Sequence, residues 1–152
     1  NYDTLLKVFP PLRTKEDQKA LIAAVENGTV DCITTHHMPQ DWDGKTIEFE
    51  NAKAGIASIE TSFAAVKQAI PSLSEARLSE LFSSNARNIF GLNNCSIQEG
   101  AEAELTLFSA KESTNLSKEN SKSKSANSPF WDITLTGKVV GTYVKGRLSI
   151  NK

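Results

Sequence analysis

Two histidines stand side by side in Ile33-Thr34-Thr35-His36-His37-Met38-Pro39-Gln40. A neutral imidazole can bind zinc, and it can also carry a proton near neutral pH. The run before it, Val30-Asp31-Cys32-Ile33-Thr34, reads as a short buried strand, so the pair falls where that strand ends. In a β/α barrel the active site sits where the parallel strands end. The plain alternative is a pair of polar strand-end residues that bind nothing. Neighbours on a strand point to opposite faces, so His36 and His37 are not expected to chelate one ion together. A zinc site takes three or four protein ligands, and these are the only histidines in the chain.

The flanking pattern supplies the elements that would position them. Thr14 followed by Asp17 predicts an N-cap with an acid in the first turn. Ala20, Leu21, Ala24 and Val25 continue as an apolar helical stripe, and Asn27-Gly28 ends it. A helix, a short turn and a nearly apolar strand make the unit of a parallel α/β sheet. Residues 38–54 read as a polar loop carrying Trp42 and Phe49. Ile56, Ile59, Phe63, Val66 and Ile70 predict a helix over 55–70, ended by Pro71. Ser72 with Glu75 suggests a capping box for the next helix, which carries Leu78, Leu81 and Phe82. Gly91 closes that region.

Composition then shifts. Residues 103–108 and 138–150 are β-rich, with Gly141 and Gly146 punctuating a hairpin. Between them, 111–128 is rich in Ser, Lys and Asn, with Leu116 almost its only apolar residue. It reads as a mobile loop. The expected division is a first unit over 1–92 and a β domain over 93–152.

The net charge of −1 over 152 residues argues against a dedicated nucleic-acid surface. The lysines within 118–124 read as a solvated tract. No apolar run approaches the ~20 residues that cross a bilayer. Cys32 and Cys95 make no disulfide framework. Cys32 reads as a small core residue, and a reducing cytoplasm fits.

Five blocks carry a more specific signal. They are Lys7-Val8-Phe9-Pro10-Pro11-Leu12-Arg13, Ile33-Thr34-Thr35-His36-His37-Met38-Pro39-Gln40, Gly55-Ile56-Ala57-Ser58-Ile59-Glu60-Thr61, Ser84-Asn85-Ala86-Arg87-Asn88-Ile89-Phe90-Gly91-Leu92, and the stretches 97–108 and 137–140. In this order the chain resembles the C-terminal part of a dihydroorotase, a cyclic amidohydrolase of pyrimidine synthesis. The resemblance implies the closing part of a (β/α)8 barrel followed by strands of a small β-sandwich domain. A complete barrel takes roughly 250 residues, so it implies a piece of a longer protein. The opening Asn1-Tyr2-Asp3, without an initiator Met or a leader, is expected to begin in mid-fold.

The family hydrolyses a cyclic amide, or closes one by the reverse reaction, with a metal-activated water and a carboxylate that takes its proton. That carboxylate belongs to Thr-Asp-His-x-Pro-His. Thr35, His37 and Pro39 match, but His36 stands at the Asp position and Gln40 at that of a substrate-contacting His. Phe9 stands where an Asn bonds the pyrimidine ring in Asn-Pro-Pro-Leu-Arg. Gly55 maps to a backbone contact for a substrate carboxylate. By this mapping His36 would be the catalytic and metal-ligating position, and Phe9, Gln40 and Gly55 the substrate contacts. Zinc is the family metal, but this chain alone is expected to hold none.

An imidazole differs from a carboxylate in charge, size and reach, so dihydroorotate turnover is expected to be impaired. The resemblance leaves two other outcomes: a non-catalytic paralogue that is a structural partner of aspartate carbamoyltransferase, and an amidohydrolase with a changed substrate. Bare barrel edges predict a homo-oligomer. The plain readings are a rigid loop for Pro10-Pro11, a surface charge for Arg13, a solvated charge for Glu60 and core for Phe63.

Overall fold

The computed structural model describes residues 2–93 and 96–151, so Cys95 lies outside the described residues. Helix α1 spans Lys15–Glu26 and begins as its sequence predicts. The Thr14 hydroxyl accepts the Asp17 N–H, and the Asp17 carboxylate accepts the Thr14 N–H. Asn27 closes the helix, and Gly28 follows at a φ of 88°. Helix α2 spans Ser62–Ala69. Helix α3, Glu75–Ser79, runs through a π turn at Glu80–Ser84 into α4, Asn85–Ile89.

These helices share one apolar centre. Leu81 is 0 % exposed and packs with Leu78, Val25, Ile70 and Leu73. Val30, Ile33, Phe63 and Phe82 cover its edges. Truncating a leucine buried this deeply typically costs about 2–5 kcal/mol.

Strands β1 (Glu104–Asn115), β2 (Thr134–Val144) and β3 (Arg147–Ile150) form an antiparallel sheet in that order. Lys145 and Gly146 join β2 to β3 with φ values of 50° and 77°. That left-handed pair matches the twist of the flanking strands. Helix α2 lies against this sheet. The Phe63 ring sits 4.9 Å from that of Phe108, and Gln68 accepts the Thr136 N–H at 3.0 Å. Arg87 pairs with Glu104 at 2.6 Å, joining α4 to the start of β1.

Five local expectations need correction. Residues 30–34 form no strand among the described residues. A strand exists by pairing its backbone, and here Ile33 N–H goes to the Leu81 carbonyl at 2.9 Å. Helix α2 begins at Ser62, not near Gly55, because Ile56 bridges in parallel to His37 and keeps that stretch out of the helix. Ser74, not Ser72, caps α3 by accepting the Arg77 N–H at 3.1 Å, while Ser72 bonds Glu26. Gly141 lies within β2 and not at a turn, where a Cβ would come 2.7 Å from the Ser149 carbonyl. The tract 111–128 is no free loop: β1 claims it through Asn115, and Leu116, Asn127 and Ser128 are buried.

Candidate functional site

The segment after Ile33 turns sharply. His36 adopts a φ of 44°, a left-handed conformation that costs energy in a non-glycine residue, although His tolerates it better than most. Its side chain is exposed. His37 then bridges to Ile56, and Met38 N–H donates to the Ile56 carbonyl at 2.9 Å. The half-buried His37 ring has a structural task. Its Nδ1 accepts the backbone N–H of Ser58 at 3.1 Å and of Ile59 at 3.2 Å. Ser58 Oγ donates to the Thr35 carbonyl at 2.8 Å. The turn carrying the histidines is thus stitched to the stretch before α2.

Gly55 and Gln40 meet beside this seam. Gly55 holds a φ of 135°, and a Cβ there would lie 2.8 Å from Met38 Cβ and 3.1 Å from Gln40 Nε2. Its N–H is committed to the Lys7 carbonyl at 2.9 Å. Gln40 Nε2 donates to the Ala54 carbonyl at 3.1 Å, so this side chain braces the opposite loop. Phe9 follows Lys7 closely and is 73 % exposed.

The polar tract supplies the remaining partners. Gln40 N–H is shared between Ser125 Oγ at 3.2 Å and Asn127 Oδ1 at 3.1 Å. Asn127 Nδ2 donates to Met38 and Gly55 carbonyls at 3.0 and 3.1 Å. Glu60, read from sequence as a solvated charge, accepts the Lys122 N–H and the Ser121 hydroxyl, each at 2.8 Å.

A cavity of about 730 Å³ opens next to Gln40, between Thr4, Trp42, Lys45 and the stretch 123–127. Pro39 and Gln40 line it, whereas Phe9, His36 and Gly55 do not. Lys45 is 5 % exposed and donates to the Thr4 and Lys7 carbonyls at 2.8 and 3.3 Å. Burial holds its ammonium below the ordinary lysine range. Lys7 adds repulsion and Asp3 opposes both. The structure thus joins Gln40 to Gly55 and puts His36 on the exposed side of the same turn.

These residues do not by themselves fit a zinc ion. Among the described residues no cluster of three His, Cys, Asp or Glu side chains could hold a metal, and His37 Nδ1 is already an acceptor. Asn127, Ser125 and Lys45 escaped the sequence reading. Their signal was thin: an Asn and serines ahead of Pro129 that can satisfy loop backbone.

No family model matches the chain. It is 37 % identical to a dihydroorotase from Caldanaerobacter subterraneus, a match covering 100 % of this chain and 36 % of that protein. A dihydroorotase from Syntrophus aciditrophicus is 36 % identical over 97 % of the chain and 35 % of its own length. The chain therefore spans about a third of the length of these curated relatives. In fold it matches a D-hydantoinase (dihydropyrimidinase) from Thermus sp. with a TM-score of 0.84 at 24 % identity, over 97 % of this chain and 34 % of that one. It matches an L-hydantoinase from Arthrobacter aurescens with a TM-score of 0.82 at 24 % identity, over 99 % and 35 %. The fold is therefore that of about a third of a hydantoinase chain, helices followed by β strands. Across almost its whole length, this chain is thus similar to about a third of several dihydroorotases.

Proposed function

We propose that the whole protein is a dihydroorotase-like cyclic amidohydrolase of pyrimidine biosynthesis with altered catalytic positions. Its reaction would be hydrolysis of dihydroorotate to carbamoyl-aspartate, or the reverse, in the cytoplasm. The observation that carries this is the exposed His36 on its left-handed turn, where the family resemblance puts the proton-accepting Asp. That turn is secured by the structural imidazole of His37. The family's zinc would need ligands beyond those described here, and no step is assigned to it. In this reading residues 1–92 close the barrel and 93–152 form the β domain.

Turnover should be very low. Hydrolysis needs a group that takes the proton of the attacking water, and loss of such a group costs about 10²–10⁴ in rate. Phe9 replaces a polar ring contact with an exposed apolar one. The test is a dihydroorotate assay on the intact protein. A turnover number in the ordinary range of about 1–10³ s⁻¹ would overturn the reading.

A second reading is a non-catalytic paralogue serving as a structural partner of aspartate carbamoyltransferase. It draws support from Gln40, whose amide donates to the Ala54 carbonyl at the position where the family resemblance puts a substrate-contacting His. Co-purification of the two proteins without dihydroorotate turnover would favour it.

A further inference from the structure

We propose that residues 121–127 form a clasp over the candidate site, with Asn127 as the positioning residue that fixes Gln40 against Gly55. The proposal rests on the preceding reading only in treating Gln40 and Gly55 as substrate positions.

Asn127 is 3 % exposed, and its amide is spent entirely on the two loops and on Ser125. Nδ2 donates to Met38 and Gly55, one carbonyl from each loop. Oδ1 accepts the Gln40 N–H at 3.1 Å. The Asn127 backbone carbonyl accepts the Ala57 N–H at 3.0 Å. One residue thus ties both loops, 38–40 and 55–57, across a long sequence separation. Ser125 reinforces it, because its hydroxyl donates to the Gln40 carbonyl at 2.6 Å.

The other end of the clasp is fastened to Glu60. Its carboxylate accepts the Lys122 N–H and Ser121 hydroxyl at 2.8 Å and the Ser123 N–H at 3.3 Å. Hydrogen bonds to an ionised carboxylate are stronger than neutral ones. A tract so poor in apolar side chains gains little from burial. Its order comes from these polar bonds, and they fall on the candidate site.

The chemistry calls for a carboxamide at 127. Two donors must face carbonyls while one acceptor faces an N–H, and an amide alone offers that set at this length. Aspartate keeps the acceptor but sets a charge against two carbonyls. Alanine keeps only the backbone bond to Ala57.

Hydrogen exchange resolved to single amides, on the intact protein, tests this. Asn127→Ala should accelerate exchange at Gln40, which loses its side-chain acceptor, and at Ala57, whose backbone partner moves as the clasp loosens, by on the order of tenfold, the worth of one or two net hydrogen bonds. Amides of α2 and α3 should keep their wild-type rates. Asn127→Asp, which retains an acceptor for Gln40, should fall between. Lys118→Ala, at an exposed position of the same tract, should change nothing at Gln40. If Asn127→Ala does not fold, Asn127→Asp and Ser125→Ala carry the same comparison. Unchanged exchange at Gln40 and Ala57 would overturn the proposal. So would equal acceleration throughout α2 and α3, because Asn127 would then be a general structural bond. Exchange needs no turnover, so an inactive protein with a working clasp is distinguishable from an active one without it.

Discussion

His37 Nδ1 lies 3.1 Å from the Ser58 backbone nitrogen and accepts its hydrogen. The neighbouring Ile59 N–H reaches the same atom at 3.2 Å. The hydrogen-bond pattern therefore assigns the ring proton to Nε2. One imidazole here does the work of a turn, satisfying two backbone donors that no helix or sheet takes up. Replacing it with His37→Leu should strand both donors and cost about 1–3 kcal/mol in a urea-denaturation experiment. His37→Asn, whose carbonyl can reach toward the same donors, should recover part of that loss. Equal stability of the two variants would mean that these contacts contribute nothing.

Gly55 and Met38 set a second, steric condition. A side chain at 55 would meet Met38 Cβ and carbonyl at 2.8 Å, on a backbone at φ 135° that L-residues rarely adopt. Gly55→Ala should destabilise the protein by more than ~1 kcal/mol. Ala101, half-buried beside Gly100, serves as a control position: Ala101→Gly should change the denaturation midpoint far less. A Gly55→Ala variant as stable as wild type would show that the two loops can part freely.

How far the sequence revealed this arrangement depended on how local the cause was. The cap at Thr14, the stop at Asn27-Gly28 and the core leucines Leu78 and Leu81 were legible, because their signals lie within a turn or two of chain. The segment 30–34 was misjudged, since an apolar run says nothing about which backbone will pair with it. The helix expected from Gly55 lost its first turns to a bridge with His37, a contact made across the fold. The largest miss was 121–127. Its composition predicted mobility, but its donors and acceptors are matched by Glu60, Gln40 and Gly55, positions far away in sequence. Polar complementarity of that kind leaves no periodic trace.

Lys45 makes a pH-dependent contribution whose sign follows from its surroundings. Burial and then Lys7 lower its pKa from 10.5 in the folded chain, against the pull of Asp3. Between that lowered value and 10.5 the unfolded chain binds the proton more tightly, so stability rises with pH across the window. Below the window both states are charged and the full penalty remains. The neutral amine still has hydrogens for the Thr4 and Lys7 carbonyls. The stability of wild type relative to Lys45→Gln, measured by denaturant titration at several alkaline pH values, should therefore increase toward 10.5. A flat difference, or one that falls, would contradict the burial of this ammonium.

The altered positions offer the most direct test of the proposed chemistry. Restoring only His36→Asp in the intact protein should recover little dihydroorotate turnover, because Phe9 still removes a polar ring contact. Phe9→Asn alone should do no better, since it leaves no carboxylate to take the proton. Gln40→His alone should loosen the brace to Ala54, a bond the wild-type amide makes at 3.1 Å. The triple variant should exceed the combined effect of the single changes, because positions that serve one site couple strongly. Its gain should lie in the range of about 10²–10⁴ that a restored acid–base group supplies. Steady-state kinetics on the four variants and wild type decides the matter. Purely additive gains would mean that Phe9, His36 and Gln40 do not serve one site, and an active wild type would mean that His36 already performs the proton transfer.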